Sequence, residues 1–520
     1  MHPRNLRLKA EQGFTTVVAM GMLLVGMLLV AAAFAASDGD TSSARHDQYY
    51  KEAYNAAEAG INWYMFHLTQ DANYWGKCAS ASPSNSPPVY QKNPGSFTWT
   101  SIPGSEAKYM IELLPAAGQT SCAVGASTSM IDPATGAFKI RSTGLYRGVK
   151  RTLVATFRRV GFLNFLYFTD FETMDPATYG DATAQQTAQT NCAHYYYVSA
   201  RPGTCNDPAF ISSDTISGPL HTNDEMLTCG SPTFGQKATD RIESSSPQPS
   251  THPGYRQDTS CSGNPNFVGI FKAPASTLTL PPSNQELQNQ ADSTYIFTGT
   301  THIQLGTPAA GQMTVTTASG TSTMSMPPKG IIYVQNGDCS PYYDSTMDYP
   351  AVADGTGCGD VYVRGAVSSD LTIGADNDII IDGNLTHGSG VELGLIANNF
   401  VRVYHPCTTG TNQTTSPEDP GRGAMNNPTI NAAILAINHS FIVDNWACGS
   451  GLGTLTVYGA IAQKYRGPVG THSGSTVTSG YSKGYSYDYE LRYHQPPYFL
   501  DPVQAGWGIL QQTEQVPPAH

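Results

Sequence analysis

Charged side chains are scarce in this chain. Asp, Glu, Lys and Arg make up 13% of its 520 residues, and their balance is acidic, with a formal net charge of −12. So little positive charge argues against DNA binding across the whole surface, because affinity for a phosphate backbone comes from Lys and Arg. The common site signatures are missing as well. No GxxxxGK[ST], GxGxxG or HExxH occurs, which removes the usual phosphate-cradling loops and the helix-borne zinc pair. No two of the ten cysteines form CxxC, and none precedes Cys78, so a zinc site is not expected. What is abundant points elsewhere: 51 glycines and 35 prolines, with much Ser and Thr, suit β-strands joined by many turns.

Charge is absent altogether from Phe14 to Ala36. As a helix at ~1.5 Å per residue, that run would cover the ~30 Å hydrocarbon core of a bilayer. Arg4, Arg7 and Lys9 precede it and Asp38 and Asp40 follow, and positive residues stay on the cytoplasmic side. The expectation is a single N-terminal helix in the inner (cytoplasmic) membrane, with the bulk of the chain extracytoplasmic. Two other readings stay open: a plain signal anchor, or a secreted protein cut at the A-x-A pattern Ala33-Phe34-Ala35. Helix resumes after Asp40, because Tyr50, Ala53, Tyr54, Ala57, Ile61, Tyr64, Met65 and Leu68 fall on one face at 3–4 spacing.

The junction Gly13 followed by Phe14-Thr15-Thr16 resembles the N-terminus of a type IV prepilin. The resemblance implies cleavage after Gly13 by the prepilin peptidase and N-methylation of Phe14. The chain departs from major pilins at the fifth mature position, where Val18 stands in place of Glu, and this implies a minor, tip-proximal or initiating subunit. Ala56-Ala57-Glu58-Ala59-Gly60 is similar to a stretch of PilX-like minor pilins; as physics, its small residues allow close helix packing. Partners implied are other pilins and the type IV pilus assembly machinery, with the inner membrane before assembly, the pilus or cell surface afterwards, and a surface ligand or DNA as possible targets.

Beyond the stem, residues 69–160 read as loop and then strands at 97–102, 108–114, 137–142 and 151–158, a small β head. Arg147, Lys150, Arg151, Arg158 and Arg159 form a basic cluster there, read chiefly as a solvated strand face. Residues 161–330 look like an irregular β-rich join. Within them His221 beside Asp224 suggests a base or a metal ligand, against the plainer reading of a hydrogen-bonded turn. From 331 to 465, short apolar strands separated by Gly, Asn and Asp fit a β-solenoid resembling a right-handed parallel β-helix. Asp360, Val361 to Gly365 and Gly394 to Ala397 resemble a domain of uncharacterised function found behind PilX-like N-termini. Residues 466–520, rich in Gly and Tyr, read as a strap over the solenoid or an adhesive surface.

The chemistry-bearing residues of this half are carboxylates: Asp360, Asp370, Asp376, Asp378, Asp382 and Glu392. Asp376, Asp378 and Asp382 make a weak calcium candidate, since oxygen ligands suit that ion. Glycan cleavage would need two carboxyls facing one cleft, which linear spacing does not supply. Gly480-Tyr481-Ser482-Lys483-Gly484 spells GxSxG without the strand-to-helix setting of a nucleophile elbow. The even number of cysteines suggests disulfides, with close spacings favouring Cys192–Cys205, Cys229–Cys261 and Cys339–Cys358, then Cys78–Cys122 and Cys407–Cys448. The expectation is therefore a mainly β protein with a long N-terminal helix: leader 1–13, stem 14–68, head 69–160, join 161–330, solenoid 331–465 and strap 466–520. It would serve as a minor pilin in assembly, adhesion or DNA uptake, with no catalytic role and no cofactor. A membrane-anchored or secreted polysaccharide-active β-helix and a structural surface protein are the alternatives.

Overall fold

The computed structural model describes residues 14–71, 73–76, 99–119, 122, 129–132, 135–247, 251–339, 357–414, 421–473, 476–492, 494–503 and 506–519, without the side chains of 14–16, 33–43 and 476. The fold is mainly β with a long N-terminal helix. By its internal packing the chain divides into two compact units, one of residues 1–130, 139–156 and 511–520 and the other of 131–138 and 157–510.

Unit one is organised by the helix α1 (Phe14–Gln70, 57 residues). Strands β1 (Thr100–Ser101), β2 (Lys108–Leu114), β3 (Ala137–Tyr146) and β4 (Val149–Arg159) follow, and the strand Trp507–Gln515 completes a five-stranded sheet beside β4. β1 and β2 pair antiparallel, as do β2 and β3. The second half of α1 buries Ala53, Ala56, Ala57, Ile61, Tyr64 and Leu68, the face that the 3–4 spacing predicts. Its seat is a strand, which explains the small residues. A Cβ on Gly144 of β3 would stand 2.0 Å from the Ala53 carbonyl oxygen and 2.4 Å from the Ala57 nitrogen. Only a residue without a side chain lets helix and strand approach so closely.

The membrane expectation needs correction. Among the described residues no helix is long and apolar enough to cross a membrane. Anchoring in the inner membrane is not supported, and the extracytoplasmic placement that depended on it goes with it.

Unit two consists of short strands paired in parallel. One ladder runs, in spatial order, through Ile296–Thr298, Ile331–Gln335, Leu371–Ala375, Leu393–Ala397, Thr429–Ala436, Gly451–Tyr465, Tyr167–Phe171, Leu220–Thr222, Arg241–Ser244 and Ile270–Lys272. A second joins Thr301–Leu305, Val361–Val367, Ile379–His387, Val401–Val403 and Phe441–Val443. A third links the far end of Ile379–His387 and the near ends of Thr429–Ala436 and Gly451–Tyr465 with Thr476–Tyr487, Thr215–Ser217, Thr233–Phe234 and Asn266–Phe267. Each strand is too short to bury itself, so stacking makes the core. Val363, Ile381, Val403 and Val443 line up rung upon rung at zero exposure, each such side chain stabilising by roughly 1.5–3 kcal/mol. Space and sequence disagree in order: Tyr167–Phe171 stacks on Gly451–Tyr465, so residues 167–272 extend ladders begun by residues 296–487.

Four disulfides tie neighbouring loops of unit two: Cys192–Cys205, Cys229–Cys261, Cys339–Cys358 and Cys407–Cys448. Of the fifth expected pair, Cys78 lies outside the described residues. After Tyr487 the chain runs back across the rungs. The Asp488 N–H donates to the Gly459 carbonyl, and the Pro497 carbonyl accepts from the Thr372 hydroxyl. Gly394 permits the crossing, since a Cβ there would meet Pro496 at 2.9 Å.

Candidate functional site

The first half of α1 presents a surface unlike any other in unit one. Met22, Leu23, Leu24 and Val25 are each more than half exposed, at 72, 63, 62 and 57%. Consecutive helical residues point 100° apart, so these four circle the helix. A helix that is apolar all round is a buried helix in its working state, and nothing described within unit one covers it. Gly13 lies outside the described residues. Phe14 opens α1, and Val18 is 41% exposed on it.

Four residues of the basic cluster, Arg147, Arg151, Arg158 and Arg159, have partners in their own unit. In unit one the Arg147 guanidinium donates to both carboxylate oxygens of Glu106, at 2.6 and 3.2 Å, and its charge holds Glu106 below the usual carboxylate range. Arg151 makes a two-pronged contact with Glu514 and lies over the rings of Tyr50 and Tyr54. A groove of about 530 Å³ is lined there by His46, Tyr50, Tyr54 and Arg151. In unit two the buried Arg158 donates to the carbonyls of Leu491 and Arg492, and Arg159 lies over the Trp507 ring.

The polar residues singled out in unit two occupy structural positions. His221 is buried, with Nδ1 3.2 Å from Glu243 and Nε2 3.2 Å from Asn223, and both ring nitrogens are committed to these oxygens. Asp224 is ion-paired with Arg201; burial, against the pull of that guanidinium, raises its carboxyl to about 6. Asp376, Asp378 and Asp382 are not gathered at one point. Asp376 accepts from the Tyr333 hydroxyl and, at 2.8 Å, the Asn336 N–H; Asp378 accepts from the Phe400 N–H and faces Arg402; Asp382 pairs with Arg364. Ser482 of the GxSxG string sits inside the strand Thr476–Tyr487, hydrogen-bonded to Thr454, and Lys483 pairs with Asp214 at 2.9 Å. No elbow exists there.

What the structure does gather is a different set. His387 ends a strand, Glu392 precedes Leu393–Ala397, and the chain running back over the rungs brings Asp488 to them. One ring nitrogen of His387 and one oxygen from each carboxylate all lie within 4.8 Å of one another. Glu392 and Asp488 are both 2% exposed. Asp488 accepts from the Glu490 N–H at 2.8 Å and from the Tyr458 hydroxyl. Glu392 Oε1 has no hydrogen-bond partner among the described residues. Burial, then the charges of Asp488, Glu490 and Asp370, push its carboxyl up to about 8. Linear spacing gives no hint of this set, because Asp488 arrives from a distant part of the chain.

No protein-family model matches the chain, and no curated protein matches it. Among solved structures, the competence-associated pilin ComZ from Thermus thermophilus is similar over 90% of this chain and 97% of its own, at 12% identity and a TM-score of 0.26. Similarity at that level bears no weight on fold or role.

Proposed function

We propose that the chain is a minor pilin of the PilX-like kind, a subunit that joins a type IV pilus or pseudopilus through the first half of α1 and also carries unit two. The observation that carries the reading is the apolar girdle at Met22–Val25, exposed on every side, on a helix whose second half is seated on an antiparallel sheet of its own unit. Stems of neighbouring subunits are the natural cover for such a surface, because burying it recovers roughly 25 cal/mol per Å² of apolar area. The prepilin-like junction at Gly13-Phe14 adds to the reading, and Val18 in place of Glu favours a tip or initiating position over a repeating one. The parallel ladders of unit two favour a β-solenoid, a form that presents long lateral surfaces for contact. The role proposed is assembly priming, adhesion or help in DNA uptake, by contact and without catalysis.

The test is the mature N-terminus, read by mass spectrometry of protein in fibres sheared from cells. A methylated Phe14 is expected. A chain starting at Ala36, or absence from fibres, would overturn the proposal.

A further inference from the structure

The set at His387, Glu392 and Asp488 has the chemistry of a ligand shell. The three residues converge from two turns: His387 and Glu392 flank the exposed Gly388-Ser389-Gly390, and Asp488 sits where the returning chain crosses Gly459. His387 is half-buried, and its Nδ1 lies 3.0 Å from the Gly388 carbonyl. A carbonyl only accepts, so that bond places the proton on Nδ1 and leaves Nε2 with a lone pair, the tautomer arrangement typical of metal-binding imidazoles. Asp488 is oriented by the Glu490 N–H and the Tyr458 hydroxyl, which is the outer support that holds a ligating carboxylate in place. Glu392 supplies an independent sign: its Oε1 is buried without a hydrogen-bond partner among the described residues, on a carboxyl group that puts one oxygen into the cluster. A buried polar atom without a partner costs ~1–3 kcal/mol, and charged groups cost more. Such an atom persists where something else completes it.

We infer that His387, Glu392 and Asp488 bind a divalent cation of the first transition row, with Zn2+ as the best-fitting ion. One imidazole and two carboxylates suit Zn2+ or Mn2+, whereas Ca2+ and Mg2+ take oxygen ligands. Zinc bonds to His and carboxylate are ~2.0–2.2 Å long, and small rotations close a 4.8 Å spread to that size. The exposed glycine turn provides the way in. The ion would clip the returning chain onto the rungs it crosses, so its effect is structural, a restraint on the segment after Tyr487.

The experiment is calorimetric titration of chelator-treated full-length protein with Zn2+, beside Glu392→Gln and His387→Gln, with melting temperature followed in parallel. The wild type is expected to bind one equivalent saturably and to melt higher with Zn2+ than with chelator. Millimolar Ca2+ is expected not to compete. Each variant is expected to bind at least ~10-fold more weakly, since loss of an outer partner alone costs 10–100-fold, and to show no rise in melting. His387 is half-exposed, so its variant keeps the test readable if Glu392→Gln folds poorly. Absence of saturable binding by the wild type would overturn the inference. Equal binding by wild type and variants would overturn it too, placing the ion elsewhere.

Discussion

The two units differ in their most prominent ion pairs and in their apolar surface. Unit one has pairs that water reaches, Arg147 with Glu106 and Arg151 with Glu514, and Met22–Val25 exposed. Unit two has pairs of little exposure, Arg402 with Asp444, Arg466 with Glu172 and Lys483 with Asp214, beside exposed ones such as Lys329 with Asp292, and stacks most of its apolar residues in one core. The difference identifies what each unit still needs. Unit two packs most of its apolar residues into one core and leaves Glu392 Oε1 without a hydrogen-bond partner among the described residues. Unit one has an apolar helix half that none of its described residues covers, and the proposed cover is the stem of another subunit.

The sharpest way to break this comparison is to charge the exposed half of α1. Leu24→Glu is expected to abolish incorporation into fibres while leaving the melting temperature of the monomeric protein within a degree or two, because Leu24 packs on nothing in its own unit. Loss of folding instead of loss of assembly would mean that the girdle is internal core.

A smaller effect is expected in unit two from Asp214→Asn. Removing one partner of a buried pair costs roughly 3 kcal/mol, read from denaturant unfolding. Burial alone would raise the Asp214 carboxyl, but the Lys483 ammonium, the Ile211 N–H and Arg466 hold it below the usual range. Its contribution is therefore fully present above the unfolded-state value of ~3.9 and is lost as pH falls through the lower folded-state value. The gap between wild type and variant should shrink as pH drops below ~4. A gap that widens on acidification would contradict the buried pair.

In unit one, Gly144→Val should cost ~1–3 kcal/mol by overpacking, since its side chain would enter the backbone of α1. Smallest of all, Arg151→Ala should change stability by no more than ~1 kcal/mol, as partly exposed pairs do. An effect as large as that of Asp214→Asn would erase the contrast between the units.

Much of the local structure was legible. The face from Ala53 to Leu68 followed from 3–4 spacing, and the strands expected at 108–114, 137–142 and 151–158 fall within β2, β3 and β4. Short apolar strands between Gly, Asn and Asp turns revealed the rungs from Ile331 onward. Long-range order was not legible, because identical short strands carry no address. Nothing in Tyr167–Phe171 says that it stacks on Gly451–Tyr465, or in Trp507–Gln515 that the chain returns to the sheet of unit one. Composition misled at the N-terminus, where absence of charge in 14–36 suggested a membrane span. The Ala56–Gly60 stretch was legible as a close-packing surface but not as one facing Gly144. The grouping of His387, Glu392 and Asp488 depends on the returning chain crossing at Gly459, a contact visible only in three dimensions.

The most direct measurement of the central claim is photo-crosslinking in intact fibres, with a photoreactive side chain replacing Leu24. The account predicts a crosslink from position 24 to the N-terminal helix of another pilin subunit. Crosslinks confined to the chain's own residues, or a chain recovered only outside fibres, would contradict it.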